Sequence, residues 1–333
     1  MLACSAFSKA VAKLSAFPQS VHPHLPDLDA LRPNFGWLPV DRIKKTLEAT
    51  TQYYCASAHY PFRKHFKSCF PAANVHHLPE WFSTDTFFAD TPALDDGIPG
   101  HGGCTMIQLY GGLNSHFLAG YPMSAESDMP ETMEEFIHDH GAMEGLMSDN
   151  AKVEVSQAAK NIHRLYCIKD RQSEPHYQHQ NPIECRIQDV KRLTNNIMDR
   201  VGCPAGYWLL CTLFVISLLN HVVNVNGAIP QSLINGEITD ISPYLTYHFW
   251  QEVFYEQPDG NPEALGHWVG PALKHGDKLT YMILTNDTKQ VIIRSNILPA
   301  KDSLFPNLRA RPVNSTQMVG RCRSILCSTQ CPM

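Results

Sequence analysis

Apolar and polar positions between residues 81 and 121 follow a pattern that predicts three β-strands. Residues 81–88 are rich in aromatic residues and threonine, and a loop rich in glycine, proline and aspartate follows at 95–103. Residues 104–110 and 116–121 form two further apolar segments, separated by a turn that contains Gly111, Gly112 and Asn114. Short turns of this composition join neighbouring antiparallel strands. The three segments are therefore predicted to form an antiparallel meander.

A helical period replaces this pattern after Pro130, a residue suited to the first turn of a helix. Met133, Phe136 and Ile137 recur at helical spacing until Gly141, which is expected to end the helix. We then expect a strand at 145–148, a helix at about 153–166, an extended segment at 168–171 and a helix from about residue 182. The order of elements predicts an α/β fold with a mixed five-stranded sheet flanked by helices.

The C-terminal third begins with a strongly apolar segment at residues 207–223. It is shorter than the ~20 apolar residues that a bilayer requires, and Thr212, Ser217, Asn220 and His221 interrupt it. We therefore expect a buried helix and no membrane span. Residues 266–271, 279–284 and 290–295, the last following a turn at Asn286, are predicted to be strands of a small β-barrel.

Composition is that of a globular protein with a substantial core. The chain has 333 residues, of which 44% are hydrophobic, and this predicts one large domain with a smaller one. Its 11 cysteines lack the paired spacing of a disulfide framework, so reduced thiols in an intracellular compartment are expected. Residues 1–17 lack a continuous apolar segment, and we expect no secretory signal.

Charge is distributed unevenly along the chain, although the net charge is only −5. Residues 32–67 carry a net +5, residues 85–149 carry −12 without any lysine or arginine, and residues 152–192 carry +3. Such segregation favours an acidic metal-binding region flanked by surfaces that bind phosphate. For the acids between residues 131 and 139, a solvent-exposed helix face is an equally good interpretation.

Three acids stand out within this region: Asp85 in the string STDTFF, Asp149 in MSDNA and Glu184 in QNPIE. Asp85 lies inside an apolar strand, where an unpaired carboxylate is costly unless it binds a metal or another cation. Asp149 has a structural alternative as a helix N-cap, and Glu184 has one in a capping box with Asn181. Asp90 is an alternative to Asp85 as the first acid of the set.

The helix that carries Glu184 has two stripes. Glu184, Gln188 and Lys191 recur at i, i+4 and i+7, so an acid and a base face the same way. The neighbouring apolar stripe consists of Ile183, Ile187, Val190, Thr194 and Ile197. Ordinary solubilising charge remains an alternative for Lys191 and for Arg192.

The three acids, in this order of elements, resemble the D, D, E signature of retroviral and retrotransposon integrases, in particular the copia-like group. The resemblance extends over roughly residues 30–305 and includes residues 35–37 (FGW), 43–47 (IKKTL) and 50–53 (TTQY). It implies an RNase H-like catalytic core at 76–228 after a helical or irregular segment at 1–75. A connector and an SH3-like β-barrel at 229–305 and an irregular tail at 306–333 would follow.

The resemblance also implies an activity, namely metal-dependent processing of DNA 3′ ends followed by strand transfer into target DNA. Asp85 would bridge two Mg²⁺ or Mn²⁺ ions, while Asp149 and Glu184 would each complete one site, because carboxylate oxygens suit such ions. The DNA-binding residues would be Tyr177, Gln178, Gln188, Lys191 and Arg192. A homo-oligomer that acts on DNA ends and target DNA in the nucleus, with no membrane partner, is implied as well.

Two features of the sequence depart from the pattern of such integrases. No Cys-x-x-Cys follows His22 and His24, and Cys185 stands where a basic residue is expected. These departures, and the absence of protease and reverse transcriptase segments, fit a fragment of a decayed element. A non-catalytic DNA- or chromatin-binding remnant and an RNase H-like metal-dependent nuclease are therefore alternative interpretations.

Overall fold

The computed structural model describes residues 27–52, 68–148, 156–172, 182–257, 263–275 and 279–301. Within these ranges the chain forms two five-stranded sheets with helices packed around the first. A short helix, α1 (Val40–Ala49), precedes the first sheet. It is anchored at its centre by the buried side chains of Ile43 and Thr46.

The first sheet is mixed and has the order β3-β2-β1-β4-β5. Its first three strands are antiparallel neighbours, which confirms the predicted meander, whereas β4 and β5 run parallel to β1. The observed strands begin or end a few residues away from the predicted positions. They are β1 (His77–Phe88), β2 (Met106–Gly112), β3 (Leu118–Met123), β4 (Ala142–Ser148) and β5 (Lys169–Gln172).

Four helices cover the two faces of this sheet: α2 (Met129–His140), α3 (Gln157–Leu165), α4 (Ile183–Val201) and α5 (Trp208–His221). Successive residues of β1 point to opposite faces, as strand geometry requires. Phe82 packs against Phe136 of α2, with ring centroids 5.0 Å apart. Phe87 packs against Trp208 of α5 on the other face. The predicted helical stripe of α4 is confirmed, because all five of its members are buried.

Helix α5 is the predicted apolar helix, and it joins the two sheets. Its Phe214 stacks on Phe249 at 5.3 Å and meets Trp268 of the second sheet edge-on at 5.6 Å. Residues from both sheets consequently belong to one continuous hydrophobic core. Within the described parts of the chain, no helix has the length and apolar character needed to cross a membrane.

The second sheet is antiparallel throughout, with the order β10-β6-β7-β8-β9. Two short helices, α6 (Pro230–Asn235) and α7 (Ser242–Leu245), lead into it from α5. Three of its strands were predicted, whereas two short ones, of four and three residues, were not. The strands are β6 (Glu252–Tyr255), β7 (Ala264–Pro271), β8 (Tyr281–Thr285), β9 (Val291–Arg294) and β10 (Ile297–Pro299).

Candidate functional site

Asp85 lies near the C-terminal end of β1, on the sheet face that α4 and α5 cover. It is directly opposite Leu109 of β2, and its side chain is partly exposed. Phe87, two residues further along, points to the same face and contributes to the core beneath α5. The carboxylate Oδ1 of Asp85 accepts a hydrogen bond from the backbone N–H of Thr86 at 2.8 Å. Asp85 is thus a carboxylate with a defined orientation on the helix-covered face.

Helix α4 is fixed over this face at two points. At one, the Ile183 side chain packs on Gly111, where a Cβ atom would come within 2.4 Å of Ile183 Cδ1. Gly111 is the partner of Ser83 in β1. At the other, Lys191 Nζ lies 5.2 Å from the centre of the Phe87 ring, a cation–π contact. Because Asp85 lies between Ser83 and Phe87, the helix segment between Ile183 and Lys191 passes over it.

Glu184 belongs to that segment and is partly exposed in the first turn of α4. A carboxylate is favourable there because the N-terminal end of a helix carries partial positive charge. Pro182 occupies the N-cap position without any side-chain capping bond. Asn181, the other half of the alternative capping box, lies outside the described residues. Gln188 and Lys191 are exposed on the same stripe as Glu184.

Asp149, Tyr177 and Gln178 lie outside the described residues. The structure therefore describes two of the three predicted acids, Asp85 and Glu184. The last described residue before Asp149 is Ser148, at the end of β4. The parallel register pairs Met147 of β4 with Ser83 of β1, and β4 therefore ends alongside the Asp85 region of β1. Among the described residues there is no group of three or more His, Cys, Asp or Glu that could hold a metal ion. The metal site stays a prediction.

Asp90, the alternative first acid, lies beyond the end of β1 and is exposed. It is thus outside the strand that α4 crosses, and the geometry favours Asp85. Arg192 is exposed and forms an ion pair with Asp189 one helical turn earlier, at 2.8 Å. Compared with Lys191, which lies over the face of the sheet, Arg192 is the weaker candidate for contact with a phosphate.

Arg186 was not among the predicted site residues, and it lies on another side of α4. Its guanidinium contacts Nδ1 of His116, a residue of the β2–β3 connection with φ of 61°. Burial, followed by the positive charge of Arg186, lowers the pKa of His116. The other ring nitrogen of His116 lies 3.0 Å from Asn226 Nδ2. This group fastens the start of α4 to the β2–β3 connection.

Gln108 of β2 is a second residue that was not predicted, and it lies next to Asp85 on the opposite face of the sheet. Its side chain is fully buried and hydrogen-bonded to Thr84 and Thr86, the two neighbours of Asp85 in sequence. One signal was available in the sequence, namely a glutamine at the centre of the apolar string MIQLY. Such a residue is costly to bury unless its amide is satisfied.

No protein-family model and no curated protein matches the sequence. Among solved structures, the chain is similar to a chain in the cryo-EM structure of the simian T-cell lymphotropic virus intasome in complex with the PP2A regulatory subunit B56 gamma. The two chains are 14% identical, the match covers 71% of this chain and 84% of that one, and the TM-score is 0.35. Because this similarity is low, any function has to be argued from the residues described above.

Proposed function

We propose that this protein is an integrase-type polynucleotidyl transferase. It would use divalent metal ions to process DNA 3′ ends and to join them to target DNA. The observation that carries the proposal is the position of α4 on the face of β1 that bears Asp85, with Ile183 against Gly111 and Lys191 over Phe87. Glu184 and Gln188 lie on α4 between these two contacts. An acid on the central strand near an acid and a base on a crossing helix would suit metal-assisted phosphoryl transfer, in which carboxylates hold the ions and a base contacts a phosphate.

The donor set fits Mg²⁺ or Mn²⁺. Asp85 and Glu184 offer carboxylate oxygens, the ligand type that these ions prefer, and the Asp85 carboxylate is already oriented by the Thr86 N–H. We assign the third ligand to Asp149, which is joined by one peptide bond to Ser148 at the end of β4. When bound, two such ions supply activation of a nucleophilic oxygen and stabilisation of the leaving oxygen.

DNA would supply both the 3′ end that is processed and the target to which this end is joined. Lys191 and Gln188 are placed to contact a phosphate next to the acids, and we extend this role to Tyr177 and Gln178 and, less strongly, to Arg192. The strand order β3-β2-β1-β4-β5 supports an RNase H-like core, and the order β10-β6-β7-β8-β9 supports an SH3-like second module. Action on two DNA ends would call for a homo-oligomer, and action on chromosomal DNA for a nuclear location.

The test is a strand-transfer assay with short duplex ends in Mg²⁺ or Mn²⁺. We expect processed and joined products from the wild type and none above background from Asp85→Asn, Asp149→Asn or Glu184→Gln. Asp90→Asn is the matched control, since it removes a nearby exposed acid, and it should retain the wild-type product level. Equal product from the wild type and Asp149→Asn would overturn the proposal.

The same assay separates the two alternatives. Metal-dependent cleavage without any joined product would indicate a nuclease that uses the same acids. Binding of the duplex without product in either metal would indicate a non-catalytic DNA-binding protein. A gel-shift measurement on the same variants distinguishes lost chemistry from lost DNA binding, because Asp85→Asn is expected to bind DNA as well as the wild type does.

A further inference from the structure

The buried amide of Gln108 forms part of a polar ladder, which consists of Thr84, Thr86 and Gln108. All three lie on the sheet face opposite Asp85, the face that packs against α2 and α3. Gln108 and Thr84 are completely buried. Burying an amide among apolar side chains is unfavourable unless both its donor and its acceptor are used. The ladder therefore has to be satisfied internally.

Its hydrogen bonds form a continuous series across two strands. The Thr86 hydroxyl donates to Gln108 Oε1, and Gln108 Nε2 donates to Thr84 Oγ1 at 2.7 Å. The Thr84 hydroxyl in turn donates to the carbonyl oxygen of Leu109 at 3.0 Å. Leu109 is the residue directly opposite Asp85. The ladder thus ties both sequence neighbours of Asp85 to the strand beside it.

One further hydrogen bond links this series to the Asp85 carboxylate on the other face of the sheet. Thr86, whose side chain is held by Gln108, donates its backbone N–H to Asp85 Oδ1 at 2.8 Å. A rotation of the Thr86 backbone would move that N–H away from Oδ1. The position of the carboxylate on one face therefore depends on a side-chain hydrogen bond on the other face.

We infer that Gln108 is a positioning residue, which holds the Asp85 carboxylate in its metal-binding orientation through Thr86. The inference rests on the proposed function in one respect, namely that Asp85 is a metal ligand. Hydrogen-bond partners of metal ligands affect affinity because they fix the orientation of the ligand. Removing the Gln108 amide should therefore weaken metal binding without removing any ligand.

The experiment compares Gln108→Met and Thr86→Val with the wild type. Both substitutions keep the approximate shape of the side chain and remove one end of the same hydrogen bond. We expect each to weaken Mn²⁺ binding, measured by calorimetry on the whole protein, by roughly tenfold. The double variant should bind Mn²⁺ no more weakly than Gln108→Met alone, because Gln108→Met already removes the bond to Thr86 as well as the bond to Thr84.

Tyr110→Phe is the matched control. It removes another buried hydrogen bond on the same face, from the Tyr110 hydroxyl to Thr132 Oγ1 at 3.0 Å, and Thr132 also bonds to Met129. If the ladder only stabilises the sheet, Gln108→Met and Tyr110→Phe will lower stability alike and leave Mn²⁺ affinity unchanged. That result would overturn the inference.

A metal-free measurement keeps this inference separate from the proposed function. Hydrogen exchange at the Thr86 amide should become at least about tenfold faster in Gln108→Met, and it should be unchanged in Tyr110→Phe. Unchanged exchange in Gln108→Met would overturn the positioning role whatever the metal does. If exchange changes as expected but the wild type shows no Asp85-dependent Mn²⁺ binding, the proposed function fails and the structural link from Gln108 to Asp85 stands.

Discussion

The two five-stranded sheets share one core but bury different kinds of side chain in their central strands. β1 and β2 of the first sheet bury Glu80 and Gln108 in addition to aromatic residues such as Phe82 and Tyr110. The second sheet centres on large aromatic residues, with Trp268 fully buried and Tyr281 meeting Tyr247 edge-on at 5.4 Å. Apolar burial stabilises a fold without requiring precise orientation, whereas a buried polar group is tolerated only when its partners are fixed. The comparison indicates that the first sheet is built to orient groups and the second to bury area.

The largest expected effect tests the second sheet. Trp268→Ala should lower the free energy of unfolding by about 3–5 kcal/mol, because it empties a fully buried aromatic site next to Phe214. Chemical denaturation measures this loss. Mn²⁺ affinity of the folded variant should match the wild type. The control is Leu298→Ala, at a side chain that is 55% exposed, and it should stay within about 0.5 kcal/mol of the wild type. Similar losses from both would contradict the assignment of stability to the aromatic centre.

A smaller effect tests a buried polar group of the first sheet. Glu80 Oε1 accepts the backbone N–H groups of Asn114 and Ser115, each at 2.6 Å. Glu80→Ala should cost about 2–3 kcal/mol, because it leaves both donors of the turn without their partner. Glu80→Gln keeps an acceptor oxygen and should cost only about 1 kcal/mol. If the two variants were equally unstable in urea, the loss would come from side-chain volume and the contrast between the sheets would weaken.

The stability of the protein should depend on pH through His140, the last residue of α2. Burial lowers the pKa of His140 to about 4, with Asp139 opposing this shift and Lys274 adding to it. The unfolded chain takes up this proton at the ordinary histidine pKa of 6.5, so this group contributes no pH dependence above that value. Stability should fall by up to about 1.4 kcal/mol per pH unit between 6.5 and 4. His140→Phe, packed between Phe117 and Phe136, should reduce that slope in denaturation experiments at pH 7, 6 and 5.

Parallel stability curves for the wild type and His140→Phe would show that other histidines dominate the acid response. The relevant ones to compare are His116, His163, His221 and His267, because burial lowers the pKa of each. Their own variants then identify which buried histidine controls the slope.

The smallest effect concerns the ion pair between helix α2 and the turn that follows β7, in which Lys274 Nζ lies 2.5 Å from Asp139 Oδ2. Burial raises the pKa of Asp139, but the hydrogen bond and charge of Lys274 outweigh it, and the net shift is downward. A double-mutant cycle with Asp139→Asn and Lys274→Met should give a coupling of about 0.2–1 kcal/mol at neutral pH. Because the folded pKa is lowered, the coupling should be present above pH 3.8 and disappear as the pH falls through the folded value. A coupling that persists in strong acid would contradict this assignment.

The sequence predicted those features that depend on local spacing. The buried stripe of α4 could be recognised because Ile183, Ile187 and Val190 repeat at the helical period. β9 was recognised together with the turn at Asn286 that precedes it, but β6 and β10, which are no longer than β9, were not. Their identity as strands depends on pairing with each other, between Val253 and Pro299 for example. Pairing over such a separation is set by the tertiary fold.

The candidate site shows the same division. The placement of Asp85 on a strand and of Glu184 in the first turn of a helix was correct, because each follows from its neighbours in sequence. That α4 would cross β1 above Asp85 depends on contacts between distant residues, Lys191 with Phe87 and Ile183 with Gly111. The role of Gln108 depends on a register that pairs it with Thr86. No local sequence pattern specifies the crossing of α4 over β1 or the register that pairs Gln108 with Thr86.

Gly111 leaves room for the Ile183 side chain between α4 and the first sheet. Gly120 of β3 has the same relation to α5, since a Cβ atom there would come within 2.5 Å of Ile216 Cδ1. At both positions, the space that a side chain of the strand would fill is occupied by the end of an isoleucine side chain from the helix above. A methyl group at position 111 would therefore require Ile183 to adopt another rotamer before α4 itself had to move. The start of α4 thus rests on the sheet through one flexible side chain, in the space that a glycine leaves.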